Sequence, residues 1–436
     1  MRTLIVSDLH LGSRTGSGLL SSPELRDVLL SELATADRVV LLGDVVELRH
    51  GPARDAIAAA RPFFKALGEA MAGREIVITA GNHDHQLIEP WLAARGEEHE
   101  PPALTPEQLI DPRDASRAYA RIAEWVTPAR LLVAYPGLWV RPDVYATHGH
   151  YLDCHLTIPT LERLTMAAMM RALRRPTSEL RSVADYEAIS APVFAWRDVV
   201  TRDTRSSAAV NGVATISAWR ALRGSSERES DIAHRDGAIR PPSRARSRAL
   251  SGPLSRRLAG SALAAGFPIA VAALNRAGLG PFRADISSAE LRRAGLRAMG
   301  EVADRIGLGD SYVVFGHTHR TGPLPGDDPA EWVSPGGGRL VNSGSWAYAS
   351  IFLTDTPGES PYWPGAVVVV EDRGAPVVER LLQDVPRERL RPPRRNRDNR
   401  AGAGRGEDRS PGPGEDRSSK PGGEAGGNAP HPALER

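Results

Sequence analysis

An α/β layered core interrupted by a helical insertion is the architecture this sequence predicts. Short Val, Ile and Leu runs alternate with helix-patterned stretches through the first part of the chain. The region 151–310 lacks strong strand runs, and strand candidates resume after it. With 436 residues and 41% apolar side chains, there is enough to bury one large domain that carries a sizeable insertion.

Thr3–Ser7, Val39–Gly43 and Glu75–Ala80 are apolar runs bounded by polar or glycine turns, as buried strands should be. Pro23–Ala36 and Pro52–Ala72 lie between them with helical spacing, each opening on a proline suited to a first helical turn. Leu131–Tyr135, Val144–His148, Ser311–Phe315, Arg339–Val341 and Ala366–Glu371 are further strand candidates. The layered core is therefore expected in residues 1–150 and 311–385, and a helical insertion or cap in 151–310. That insertion holds 24 Arg against 16 acidic residues, and Arg235–Arg257 is an Arg-rich loop with Ser, Pro and Gly. Residues 386–436 offer almost nothing to bury and are expected to be a disordered tail.

Formal net charge is only +2, which by itself names no partner. The single cysteine, Cys154, excludes a disulfide framework and a Cys-rich zinc site, and it reads as a small buried hydrophobe. The chain runs from Met1 to Asp8 with no charged and then apolar leader, so no signal peptide is expected, and a cytoplasmic location fits. Leu258–Leu274 is the longest apolar-rich stretch. Gly260, Gly266 and Pro268 interrupt it, and it falls short of the roughly 20 residues a membrane span needs.

Five motifs each follow an apolar strand candidate directly. They are Asp8-Leu9-His10, Gly43-Asp44, Gly81-Asn82-His83-Asp84, His148-Gly149-His150 and Gly316-His317-Thr318-His319, and six of the twelve histidines sit in them. In open α/β sheets, ligands gather at the carboxyl ends of strands. Imidazole, carboxylate and amide donors without thiolate point to Mn, Fe or Zn. If Asp8-x-His10 and His317-x-His319 are extended, residues i and i+2 share a face and reach one site. A carboxylate such as Asp44 can bridge two ions. Glycine beside Asp44, Asn82, His148 and His317 lets backbone approach without a Cβ in the way.

This ordered set, D-x-H, G-D, G-N-H-D, H and G-H-x-H, resembles the signature of the calcineurin-like metallophosphoesterase superfamily, and it spans Asp8 to His319. The resemblance implies a four-layer α/β/β/α sandwich and two divalent metal ions. It implies that Asp8, His10, Asp44 and His319 hold one ion and that Asp44, Asn82, His148 and His317 hold the other. His83 would be the acid that protonates the leaving oxygen or contacts the phosphoryl group. The reaction implied is hydrolysis of a phosphomonoester, phosphodiester or pyrophosphate by a metal-activated hydroxide. Ser7-Asp8-Leu9-His10-Leu11, Gly43-Asp44-Val45-Val46-Glu47 and Gly316-His317-Thr318-His319-Arg320 also resemble the UDP-diacylglucosamine pyrophosphohydrolase branch. The chain departs from that branch at His83, where the branch carries Arg, and in its longer insertion.

Other polar residues are weighed beside these. Asp84 is expected to cap the helix after Asn82. Glu47 is expected either to orient His83 or to form a helix-surface salt bridge, and His150 to be structural or to support a ligand. His50, His85, His99 and His155 are expected to be surface polar residues. The substrate expected is a phosphate-containing small molecule or lipid, with peripheral membrane contact through the Arg cluster and Leu258–Leu274 as an idea to test, and no obligate protein partner is evident. A non-catalytic scaffold is the alternative of a different class. A nuclease is the other, since basic loops bind nucleic-acid backbones, but stacking aromatics are sparse in the insertion.

Overall fold

A computed structural model describes residues 1–15, 17–203, 267–285 and 287–392. Its strands are β1 (Thr3–Val6), β2 (Arg38–Leu42), β3 (Glu75–Thr79), β4 (Glu107–Ile110), β5 (Arg130–Arg141), β6 (Val144–Thr147), β7 (Tyr312–Phe315), β8 (Thr321–Gly322), β9 (Arg339–Ser343), β10 (Ala366–Val370) and β11 (Val377–Arg380). They form one hydrogen-bonded sheet in the order β11-β10-β1-β2-β3-β5-β6-β7-β9-β8, with β4 paired to β5. The helices are α1 (Pro23–Leu33), α2 (Ala53–Ala70), α3 (Glu89–Gly96), α4 (Pro112–Ala115), α5 (Arg117–Val126), α6 (Leu161–Ala172), α7 (Val183–Asp203), α8 (267–276) and α9 (Ser288–Arg305).

Strand side chains alternate with period two, and here the alternation divides them among three separate cores. Leu4, Val6, Val39, Leu41, Ile76 and Ile78 pack with Leu29, Leu33, Phe64 and Leu67 of α1 and α2 and Ile122 of α5. Their neighbours Ile5, Val40 and Val77 face the other way and meet Val144, Ala146, Val314 and Val341. On the far side, Tyr145, Val313, Phe315 and Leu340 pack with Met166 and Met170 of α6, Ile189 of α7 and Met299 and Val302 of α9. Three cores require four layers, so the expected α/β/β/α sandwich is present. Burying each such aliphatic side chain contributes roughly 1.5–3 kcal/mol.

The two β layers are leaves of a single folded sheet, and β5 is the fold line. Its first part pairs in parallel with β3, from Arg130 to Ala134. Its second part pairs antiparallel with β6 from Gly137 onward. Pro136 sits between the two parts and has no N–H to leave unpaired. The sequence reading ended this strand at Tyr135, and it missed β4, β8 and β11, which are short and only partly apolar.

The insertion enters after β6 and returns through α9. Thr160 caps α6 by accepting from Arg163 N at 3.1 Å, and Ser287 caps α9 by accepting from Glu290 N at 3.2 Å. The Arg-rich stretch Arg235–Arg257 and residues 258–266 of the apolar stretch lie outside the described residues. In α8, Val271 is buried while Ile269 is 73% exposed. No helix among the described residues is long and apolar enough to cross a membrane. The disordered tail was expected from 386, yet Arg387–Leu390 forms a helical turn and Leu390 is buried in the first core, because that one leucine has a site to fill. The rest of the tail, from 393, lies outside the described residues.

The contact between α2 and α5 depends on the absence of a side chain. A Cβ on Gly68 would fall inside contact distance of the Val126 backbone. Gly68→Ala should therefore destabilise the protein by about 1–3 kcal/mol despite the better helix propensity of alanine, read as a drop in the urea midpoint. An unchanged or raised midpoint would show that α5 can move away without loss.

Candidate active site

The five motifs occupy the loops at the carboxyl ends of β1, β2, β3, β6 and β7. Backbone geometry there differs from the extended form expected. Asp8, His10, Asp44, His317 and His319 all adopt left-handed φ values of 54°, 45°, 50°, 65° and 59°. Among the described residues, Arg174 is the only other non-glycine residue with positive φ. Side chains i and i+2 converge because the chain coils at each strand end, not because it runs straight. Each such residue costs on the order of 1–2 kcal/mol, and that strain is gathered at one place in the fold.

Close approach of the loops explains two glycines. A Cβ on Gly43 would lie 2.6 Å from the His148 ring, and one on Gly81 would lie 2.6 Å from Asp44 N. Asp84 then ties the same loops together. Its carboxylate accepts from Gly81 N at 2.7 Å, Asp44 N at 3.3 Å, Val45 N at 2.8 Å and Val46 N at 3.2 Å. It does not cap the 3-10 turn His85–Leu87 that follows it, as the sequence had suggested. Four backbone donors of neighbouring loops are better partners for a buried carboxylate than one turn of helix.

Two groups of donors share Asp44 as neighbour. In the first, Asp8 Oδ1 has no hydrogen-bond partner and lies 3.2 Å from His319 Nε2 and 3.9 Å from His10 Nε2. His10 Nε2 and His319 Nε2 face each other at 3.4 Å. In the second, Asp44 Oδ2 is 3.4 Å from His148 Nε2, and the Asn82 amide lies 3.1 Å from His148 Nε2 and 3.0 Å from His317 Nδ1. The geometry brings Asp8, His10 and His319 together, His10, Asp44 and His83 together, and Asp44, His148 and His317 together.

The outer nitrogens of these rings are spoken for, which decides where the inner lone pairs point. His148 Nδ1–H donates to Leu42 O at 3.0 Å, His10 Nδ1–H to Glu47 Oε2 at 2.9 Å, and His317 Nε2–H to Asp153 Oδ2 at 3.1 Å. In the neutral rings, the lone pairs of His148 Nε2, His10 Nε2 and His317 Nδ1 then face inward. The Asn82 amide, with its nitrogen inward, meets three acceptors, His148 Nε2, His317 Nδ1 and Asp44 Oδ2, with only two hydrogens. A set of buried acceptors aimed at one another, including the orphaned Asp8 oxygen, fits divalent cations.

Charge compensation shows in the ionisation of Asp8, Asp44, Glu47, His10 and His148. Burial alone would raise the Asp8 carboxyl, but the His319 ring outweighs it and holds the pKa at about 2. Burial likewise opposes ionisation of Asp44 and Glu47. The His148 and His83 rings outweigh it, and both carboxyls lie well below their ordinary range. Burial would lower His10 and His148, yet Glu47 and Asp44 lift them to about 9 and about 10. Asp84 goes the other way. Burial and the neighbouring Asp44 charge raise it to about 6.

His83 stands beside the donors. Its Nδ1 lies 2.9 Å from both oxygens of Glu47, its backbone N donates to Asp44 Oδ1 at 2.7 Å, and its Nε2 is 3.9 Å from Asp44 Oδ2. Its side chain stays 22% exposed, yet burial still lowers it to about 4. Glu47 therefore orients His83, one of the two roles expected of it, and orients His10 as well.

The family model for calcineurin-like phosphoesterase matches residues 1–199. That match over the first 199 residues supports the resemblance to the calcineurin-like metallophosphoesterase superfamily. No curated protein matches the chain.

The site also involves residues that the sequence did not single out. Asp153, only 2% exposed, orients His317, and its place five residues after His148 was the available signal. His85 was expected at the surface but is buried. Its Nε2–H donates to Glu187 of α7 at 2.9 Å, and Glu187 also accepts from Tyr135 OH at 2.6 Å and Tyr151 OH at 2.7 Å. The charged hub buries His85 because a helix from the insertion supplies its partner. His155 is likewise engaged, with Tyr186 OH at 2.7 Å, and His50 approaches Glu47 at 3.6 Å, whereas His99 is exposed as expected. His150 is buried among His148, His85, Tyr151 and Phe194 with no hydrogen bond at either ring nitrogen. Cys154 is buried as expected, which pushes its thiol up to about 12.

These shifts fix a pH dependence for the protein stripped of ions. The His10 and His148 pKa values are raised above the unfolded value of about 6.5, so the folded state holds extra protons from there to about 9–10. Stability present below about pH 6.5 should thus fall as pH rises through 9, with His10 alone accounting for about 3 kcal/mol, while Asp84, raised from 3.8 to about 6, has already lost stability in the same direction between those two values. Urea denaturation in chelator at pH 6 and pH 9.5 measures it. Equal or greater stability at pH 9.5 would contradict the ion pairing described.

Proposed function

We propose that this protein is a dinuclear metal-dependent hydrolase of phosphoric ester or anhydride bonds. The observation that carries the proposal is the pair of buried, inward-facing donor groups that meet at Asp44. Asp8, His10, Asp44 and His319 would hold one ion, and Asp44, Asn82, His148 and His317 the other. Divalent cations bound there would supply Lewis acidity toward a phosphoryl group and would lower the pKa of a water. Mn is our first choice, with Fe or Zn as the other metals this donor set suits. Substrates in scope are phosphomonoesters, phosphodiesters and pyrophosphates of small molecules or lipids, and a cytoplasmic site of action is part of the proposal.

The chain's own residues would do the rest. His83 is turned toward the site with Glu47 on its Nδ1, so a second proton on Nε2 makes it the donor to a leaving oxygen. Burial outweighs the Glu47 carboxylate at that ring and lowers it to about 4, so the second proton would be held only with the negative charge of a phosphoryl substrate beside it. Helix α7 packs on the loop carrying His85 and would help decide which substrates reach the site. The scaffold alternative has no observation of its own, since every residue of the expected donor set is present in the sequence.

Two experiments test the assignment. Asp44→Ala should lose both ions in metal analysis of the purified protein, while His10→Ala should retain one. Two ions retained in Asp44→Ala would defeat the bridging role. His83→Ala should keep both ions and lose about 10²–10⁴ in kcat on substrates with poor leaving groups, and much less on nitrophenyl esters. An equal loss on both would assign His83 to positioning the phosphoryl group instead.

A further inference from the structure

Arg49 lies just beyond Glu47 in the 3-10 turn Leu48–His50 and is 1% exposed. Its guanidinium lies 5.6 Å from the centre of the Phe194 ring of α7. Nε and Nη2, which share one edge of the guanidinium, are buried and have no hydrogen-bond partner. The Arg197 guanidinium and the Asp44, Glu47 and Glu162 carboxylates act on Arg49 electrostatically, and the Asn82 amide stands within hydrogen-bond distance of it. With the amide nitrogen turned inward, toward His148, His317 and Asp44, the amide oxygen accepts from Arg49 Nη1 at 2.8 Å. For the Asn82 oxygen to serve as a metal donor the amide must turn over. Its NH2 group then faces Arg49 Nη1, donor against donor, and a buried guanidinium stands beside the incoming dication.

We propose that Arg49 is a positioning residue that sets the occupancy of the inner metal position, the one formed by Asp44, Asn82, His148 and His317, by holding the Asn82 oxygen away from it until an ion displaces that contact. The inference rests on the two-ion reading of the site. It follows from competition for one acceptor. A hydrogen bond from a charged donor is among the stronger ones, and its loss, together with like-charge repulsion at short range, must be overcome each time an ion enters the Asn82 side. The Asp8, His10 and His319 group has no such competitor among the described residues. The outer position should thus fill first and the inner one at higher metal concentration. Phe194 makes the device sensitive to the insertion, because a shift of α7 would free Arg49 to turn away from Asn82.

The test is a calorimetric titration of Mn²⁺ into the full-length protein after chelator treatment and dialysis, with parallel electron paramagnetic resonance for the coupled Mn–Mn signal. Arg49→Met, which keeps bulk and removes charge and donors, should tighten the weaker of the two sites about ten- to hundredfold and leave the tighter one within about threefold. The coupled signal should appear at correspondingly lower added Mn²⁺. Arg49→Lys, which retains the charge, should stay close to wild type, and Arg49→Gln serves in place of the methionine variant should that one fail to fold. An unchanged or weakened second site in the neutral variants overturns the proposal. Wild-type protein that takes up fewer than two ions would instead overturn the two-ion reading, so the two failures are told apart.

Discussion

Four carboxylates, Asp8, Asp44, Glu47 and Asp84, are packed with almost no water access at one edge of the sheet, and compensation of that charge governs the site. A buried carboxylate survives ionised only with donors or cations around it. Asp84 takes four backbone N–H groups and still rises to about 6. Glu47 takes two imidazoles. Asp8 Oδ2 accepts from the Ser7 hydroxyl and His317 N–H and Asp44 Oδ1 from His83 N–H, whereas Asp8 Oδ1 and Asp44 Oδ2 face histidine ring nitrogens, so compensation there comes either from protons on those rings or from metal cations. The raised values of His10 and His148 describe the first case, and the inward lone pairs of the neutral rings describe the second.

The fold serves this edge by holding loops from both leaves of the sheet together. β1, β2 and β3 belong to the leaf covered by α1, α2 and α5, and β6 and β7 to the leaf covered by α6, α7 and α9. Because β5 runs continuously from one leaf to the other, their carboxyl ends are kept in a fixed relation. The left-handed turns at Asp8, His10, Asp44, His317 and His319 then swing the side chains inward. Such turns would be costly in isolation, and the packed sheet beneath over-determines them.

The insertion is joined to the site by more than its ends. Glu187 of α7 gathers His85, Tyr135 and Tyr151, which belong to the loop after β3, to β5 and to the turn after β6. Phe194 of the same helix covers Arg49 and packs near His85 and His150. A polar network of this kind specifies one seating of a helix more sharply than apolar contact, since a shifted carboxylate would leave three buried donors unmatched.

How much was legible in the sequence follows from the range of the forces involved. Asp8, His10, Asp44, Asn82, His83, His148, His317 and His319 could be picked out because each follows a short apolar run, and the end of a strand is a local property of composition and periodicity. The same pattern located β1, β2, β3, β6, β7, β9 and β10 to within a residue or two, and it failed at β5 because Pro136 looks like a terminator until the second leaf supplies the partner for Gly137–Arg141. The roles of Asp84, Asp153, His85, Glu187 and Arg49 were not legible, because each depends on a partner distant in the chain. His85 meets Glu187 across 102 residues, and His317 meets Asp153 across 164. Sequence by itself determined which donor types stand at which strand ends. Only the tertiary structure decided which of them face one another, because burial and charge compensation act between residues that the chain brings together last.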